Sequence, residues 1–290
     1  MDLDHLKRLV IIAMFSDDDL MDLLVLKGGN ALDIVHKAAF RSSIDLDFSI
    51  ENEFLKEDFG VIQAKVDRAL KDTFHAEGFE VFDVSLVERP KKISEDLARF
   101  WGGYQIDFKI IESRKYLMYR NSIDAVRRNA AVVGPNNKKK FQIDISKFEY
   151  CSRKEERELD GYTIYVYTPE MIVFEKLRAI CQQMPEYEQH VKNPTRSARA
   201  RDFFDIYTVF KFFRIDTESR ENFELLQNIF NAKRVPLDLI GRIKDYREYH
   251  RPDFDAVRDT VKRDYRLESF DYYFDYVVNK ANELKAFWKI

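Results

Sequence analysis

Between residues 44 and 168 the chain repeatedly alternates apolar and polar residues; after Pro169 that alternation gives way to apolar residues three and four apart. Period two is the mark of strands with one buried face, and the wider spacing is that of amphipathic helices. The alternating runs are IDLDFSI (44–50), EVFDVSLVE (80–88), YQIDFKII (104–111), FQIDISKF (141–148) and YTIYVYT (162–168), preceded by VLKGG (25–29), a short strand ending in a Gly-Gly turn. Among them lies one long helical stretch, 60–77, and between the runs at 104 and 141 a turn-rich loop, VGPNNKKK. Helical spacing then covers 170–184, 197–214, 217–232, 236–247, 254–265 and 268–288. The fold class expected is α+β: a mixed β-sheet domain over residues 1–168, followed by a helical domain over 169–290.

Length and composition narrow the class further. A chain of 290 residues suggests two domains. Two cysteines, Cys151 and Cys181, offer no disulfide framework and suit a reducing cytoplasm. No apolar run approaches the roughly 20 residues of a membrane span. The opening MDLDHLKRLVIIAMF carries acidic residues ahead of its apolar stretch, so it reads as an amphipathic helix, not a signal peptide. No Cys/His cluster has zinc spacing, and the Gly-x-Gly-x-x-Gly fingerprint of dinucleotide binding is absent from the sequence. His36, on the short helix after the Gly turn, reads as a packed or solvent-facing residue.

The net charge of −3 hides an asymmetry. Residues 114–154 hold eleven Lys and Arg against Asp124, Asp144 and Glu149. A basic segment on an otherwise acidic protein suits a surface that tracks phosphates, although a solvated loop with spare lysines has the same composition.

The carboxylates carry the chemistry. In IDLDFSI the apolar residues face one way and Asp45 and Asp47 the other, about 7 Å apart. Like charges held that close repel, and a divalent cation with a taste for oxygen, Mg²⁺ or Mn²⁺, relieves the repulsion. The strands containing Asp107 and Asp144 repeat the pattern, and either could bring a third carboxylate to the pair as a neighbour. Ahead of the pair, Gly28 and Gly29 allow the backbone to approach a phosphate closely. Asn30 can cap the helix that follows, whose N-terminus favours anions. Ser43, beside Asp45, has no His partner for a hydrolase triad and suits a phosphate hydrogen bond.

Taken together, LKGGNALDIVHKAAFRSSIDLDF resembles motif I of the abortive-infection AbiE toxin family of nucleotidyltransferases, to which the mycobacterial MenT toxins are related. Lys27, Gly28, Gly29, Ala31 and Leu32, then Arg41, Ser43, Asp45, Leu46, Asp47 and Phe48, match; Asn30 stands where Thr is usual. A second block, TPEMIVFEKLRAI…ARDFFDIY, is similar to the later family motif through Lys176, Arg201, Asp202 and Asp205. On its own, Lys176 sits among Ile172, Val173, Ala179 and Ile180, so it either snorkels or points into a cleft. The Arg201/Asp202/Asp205 group has a salt-bridge reading of equal merit.

The resemblance implies a nucleotidyltransferase-like sheet domain, with the helical domain contributing Lys176 and Asp202 to the cleft. It implies a Mg²⁺- or Mn²⁺-dependent transfer of a nucleoside monophosphate from an NTP to an acceptor, tRNA or another RNA, by the cytoplasmic toxin of a toxin–antitoxin pair whose antitoxin need not touch it. Asp45, Asp47 and Asp144 (or else Asp107) would hold metal. Gly28, Gly29, Asn30, Arg41, Ser43 and Lys176 would hold the substrate, and Asp202, rather than Asp205, would join the catalytic group. A metal-dependent nuclease also wants clustered carboxylates, but it needs no triphosphate cradle; a catalytically silent nucleotide- or RNA-binding module is the other alternative.

Overall fold

Seven strands form one mixed sheet in the computed structural model, which describes residues 2–41, 45–55, 57–134, 136–189, 191 and 196–288. They are β1 (Val25–Lys27), β2 (Leu46–Ser49), β3 (Phe79–Arg89), β4 (Gly103–Glu112), β5 (Phe141–Ser146), β6 (Glu155–Leu159) and β7 (Tyr162–Val166), in spatial order β3-β4-β5-β2-β1-β7-β6. β2 runs parallel to β5, and β1 runs parallel to β7; the other neighbours are antiparallel.

The alternation seen in the sequence decides which face is which. Leu46, Phe48, Ile106, Phe108, Ile143 and Ile145 turn to one side and are buried. The helices Leu3–Phe15 and Phe59–Ala76 cover that side, with Phe15 against Phe48 and Phe74 against Phe108, each at 5.9 Å between ring centroids. The opposite face carries the polar residues of the same strands.

The helix Pro169–Cys181 follows directly on β7. Its start is fixed by proline in the first turn and by Thr168, whose Oγ1 accepts the Met171 N–H at 3.3 Å. It packs on Ala200–Phe212, whose Phe203 and Phe204 enter an aromatic cluster with Phe270, Tyr273 and Phe274 of Phe270–Glu283. A buried ion pair, Arg178 to Glu149 at 2.6 Å, ties the helix to the chain leaving β5. Apolar residues before and after residue 168 join one hydrophobic cluster. Among the described residues no helix is long and apolar enough to cross a membrane.

Several elements differ from the sequence expectation. β6, EEREL, is an added edge strand whose charged residues hide the alternation. The basic segment contains two short helices, Ser113–Tyr119 and Ile123–Arg128. Where one helix over 254–265 was expected, the chain makes 3₁₀ turns over Arg251–Phe254 and a single turn over Asp255–Arg258. Asn30 does not cap a helix: the helical turn already begins at Gly28, and Ala31–Val35 is wound as a π-helix.

Candidate active site

The polar face of the sheet carries a row of functional groups set by strand register. Lys27 of β1 is paired with Asp47 of β2, Asp47 with Asp144 of β5, and Asp144 with Gln105 of β4. Cross-strand partners point to the same side, so the row runs continuously over the sheet. Asp107 stands outside it: it pairs with Gln142, and its carboxylate meets Lys140 at 2.9 Å. Asp144, not Asp107, is the carboxylate beside Asp47.

Above the row lies a cavity of about 550 Å³, roofed by the two helices after β7. Gly28, Gly29, Arg41, Asp45, Asp47, Asp144, Lys176 and Asp202 line it, together with Lys27, Glu175, Arg199 and Arg201. Ser43 lies outside the described residues.

Gly28 is a glycine for two reasons. Its φ is +72°, in the left-handed region, and a Cβ there would stand 2.8 Å from Asp47 Oδ2. The Gly turn and the second carboxylate of the Asp-x-Asp pair are therefore in direct contact. Asn30 is fully buried, away from the cavity lining, and its side-chain amide donates to the Asp45 carbonyl. It fixes the strand entry that carries Asp45 rather than facing a substrate.

The carboxylates repel one another. Burial pushes the Asp47 carboxyl up to about 6; Lys27 pulls it down, while Asp144, Asp45 and Glu175 push it further up. Asp144 is raised as well, first by burial and then by Asp45 and Asp107, against the hydrogen bond from Gln142 and the charge of Lys138.

The helical wall is electrostatically satisfied. Lys176 Nζ lies 2.9 Å from Asp202 Oδ1 and 2.8 Å from Asp205 Oδ2, and is buried. Arg41 grips Asp205 through two hydrogen bonds of 2.7 and 2.6 Å. Arg199 Nε donates to Asp202 at 2.6 Å, and its own backbone N–H donates to His250 Nδ1 at 3.0 Å. Although burial opposes it, Arg199 and Lys176 hold Asp202 below the usual carboxylate range. Of the two acids, Asp202 lines the cavity, and Asp205 sits behind it against Arg41. Arg201 is exposed at the cavity rim.

The family model described as nucleotidyl transferase AbiEii toxin of type IV toxin–antitoxin systems matches residues 10–276. The chain belongs to this family. It is thus a nucleotidyltransferase of the AbiEii toxin type, and the match spans the sheet, the cavity and both roofing helices. Comparison with curated proteins gives no match. Similar solved structures include JHP933 from Helicobacter pylori, at 17% identity and a TM-score of 0.46 over 99% of this chain and 92% of that one. A putative nucleotidyltransferase from H. pylori has 18% identity and a TM-score of 0.46, over 99% and 95%. An antigenic nucleotidyltransferase-like protein from Paracoccidioides brasiliensis has 13% identity and a TM-score of 0.36, over 79% and 92%.

Sequence reasoning did not single out Lys27, Glu175 or Arg199 as lining residues in this AbiEii-family cavity. A signal was present for Lys27: it ends an apolar strand immediately before the Gly turn, so its side chain shares a face with Asp47. Glu175 and Arg199 become visible only once the helices are folded over the sheet. The basic segment proves less uniformly free than its composition suggests. Arg127 pairs with Asp83, Lys140 with Asp107, Arg153 with Glu221, and Lys147 with both Glu53 and Glu88. Arg114, Arg120 and Arg128 remain exposed, and Lys138 is close enough to Asp144 for its charge to act there.

Proposed function

We propose that this AbiEii-family nucleotidyltransferase transfers a nucleoside monophosphate from an NTP to a hydroxyl of RNA, with Mg²⁺ or Mn²⁺ held by Asp45, Asp47 and Asp144. The observation that carries the proposal is the pairing of Asp47 with Asp144, with the Gly28 turn pressed against Asp47. One set of contacts brings together a place for a cation and a place for phosphates.

The donor set fits a hard divalent cation: all oxygen, clustered, and mutually repelling. Among the described residues no group of three such side chains closes into a ready-made cage. Water and substrate phosphates would complete the shell of a cation held there. When bound, the cation supplies charge neutralisation at the reacting phosphate.

The chain's own residues do the rest. The N–H groups of the Gly28–Gly29 turn and the charges of Lys27, Arg41, Lys176, Arg199 and Arg201 receive the triphosphate; Ser43 is added to this group by the family motif alone. Lys176 and its partner Asp202 set the charge of the helical wall. Asp144, beside Asp47 at the reaction centre, takes the proton of the acceptor hydroxyl. The hydroxyl oxygen bonds to the α-phosphorus as the bond to pyrophosphate breaks.

RNA as acceptor is supported by Lys138 beside Asp144 and by the exposed Arg114, Arg120 and Arg128 on the same insertion. The family's cognate antitoxin need not contact this site. Incubation with each α-labelled NTP, Mg²⁺ and total RNA tests the proposal: label should enter RNA, and EDTA should prevent it. Label retained only in free nucleotide would refute it.

A further inference from the structure

A second cavity, of about 340 Å³, adjoins the first and shares Lys27, Ser146 and Arg199 with it. Its volume lies within the range of small-molecule sites, about 300–1,000 Å³. We propose that this cavity receives the base of the nucleoside triphosphate, with Trp101 as the stacking face. The inference rests on the nucleotidyl-transfer reading and assigns one end of its substrate.

The sheet register gives the direction. From the Lys27–Asp47–Asp144 row, Gly28 and Asp45 lie toward one end of the strands. Ser146 lies toward the other, two residues along β5 on the same face and about 7 Å away. Gly103 pairs with Ser146, so Trp101 and Gly102 close that end. A nucleotide with its α-phosphate over the carboxylates and its outer phosphates on the Gly turn must send its ribose and base the opposite way, toward Trp101.

The walls suit a base. Trp101 is held in place: Lys233 Nζ lies 5.7 Å from its ring centroid, and that ammonium is itself anchored on the Phe100 carbonyl at 3.2 Å and on the Lys147 carbonyl. An aromatic ring fixed in this way offers a stacking platform for any base. The polar lining carries both signs and is largely paired within itself. Lys27, Arg178 and Lys233 converge on Glu149, at 3.7, 2.6 and 3.6 Å, which holds that carboxylate charged. Lys27 also donates to Ser146 at 3.0 Å, so the stacking face, rather than a free donor, is what this cavity offers a base.

The chain's two tryptophans make the test direct. In a Trp288→Phe background, Trp101 is the sole tryptophan reporter, and binding of each NTP is followed both by its fluorescence and by calorimetry. Each NTP should quench it and bind roughly tenfold or more tightly than tripolyphosphate, the fold-change of one stacked base. Tripolyphosphate, which has no base, should bind without quenching. Trp101→Ala should bring NTP affinity down toward that of tripolyphosphate, and Trp101→Phe should keep it. If NTPs bind and are turned over, yet none alters Trp101 fluorescence and Trp101→Ala preserves NTP affinity, the base lies elsewhere and the proposal falls while nucleotidyl transfer stands. A Trp101→Ala variant that raises KM for RNA alone would also overturn it, giving the cavity to the acceptor. If no NTP binds at all, the reading of the active site falls and this inference with it.

Discussion

Gly28→Ala is a small change with a large expected effect. The new methyl carbon would stand 2.8 Å from Asp47 Oδ2, and to restore an ordinary 3.4 Å contact the carboxylate must retreat by about half an ångström. The backbone adds its own cost: φ at Gly28 is +72°, and the left-handed conformation costs an L-residue roughly 1–2 kcal/mol. The stability loss should therefore stay near that range, because the group that gives way is the tip of a side chain rather than packed core. Activity should suffer more. The tip that moves is one of the proposed cation ligands; a misplacement of about 1 Å can cost about a hundredfold in rate, and half of that on the order of tenfold. The assay is transfer of label from α-labelled NTP, with the urea midpoint measured in parallel. Gly60→Ala is the control, since its Cβ would meet nothing within 4 Å. A Gly28→Ala protein with the wild-type rate would refute the claim that the Gly turn and Asp47 act as one unit.

Two further outcomes follow from the charges. Asp47→Asn should abolish transfer yet stabilise the metal-free protein. A carboxyl raised to about 6 from an ordinary 3.8 costs stability that sets in as pH climbs through that interval, on the order of 2–3 kcal/mol above it; a melting temperature at pH 7.5 no higher than wild type, in EDTA, contradicts this. Lys176→Met should destabilise by on the order of 3 kcal/mol as well as slow transfer, because it leaves buried Asp202 and Asp205 to Arg199 and Arg41 alone. An unchanged urea midpoint would show that the ion pairs carry no weight.

Much of this site could be read from the chain, and the reason is geometric. Alternation in LDFS, YQIDFKII and FQIDIS puts the apolar residues, Ile111 excepted, on one face and every carboxylate on the other, so the strands and the identity of the candidate acids are both visible at once. The order of the strands is not. Nothing local says that β5, and not β4, lies beside β2, which left Asp107 and Asp144 open until register decided between them. Lys176 illustrates a different gap. Its apolar neighbours announce a buried stem, but the two acids that meet its ammonium come from a helix more than twenty residues later. Asn30 has a helix-capping composition and is used otherwise, because the left-handed Gly28 starts the helical turn before it. In the 251–265 stretch, Phe254, Val257 and Val261 imitate a helical stripe while the chain makes only short turns.

The central claim is that Lys27, Asp47 and Asp144, aligned across three strands, mark the reaction centre. It is tested most directly by comparing Asp144→Asn with Asp107→Asn in the labelled-NTP transfer assay. The account has Asp144→Asn losing at least about a hundredfold in rate, the scale of one strong electrostatic contact in a transition state. Asp107→Asn, at a residue that touches Lys140 and the Gln105 amide but no carboxylate of the row, should stay within a few-fold of wild type. Equal losses, or the reverse ranking, would contradict it.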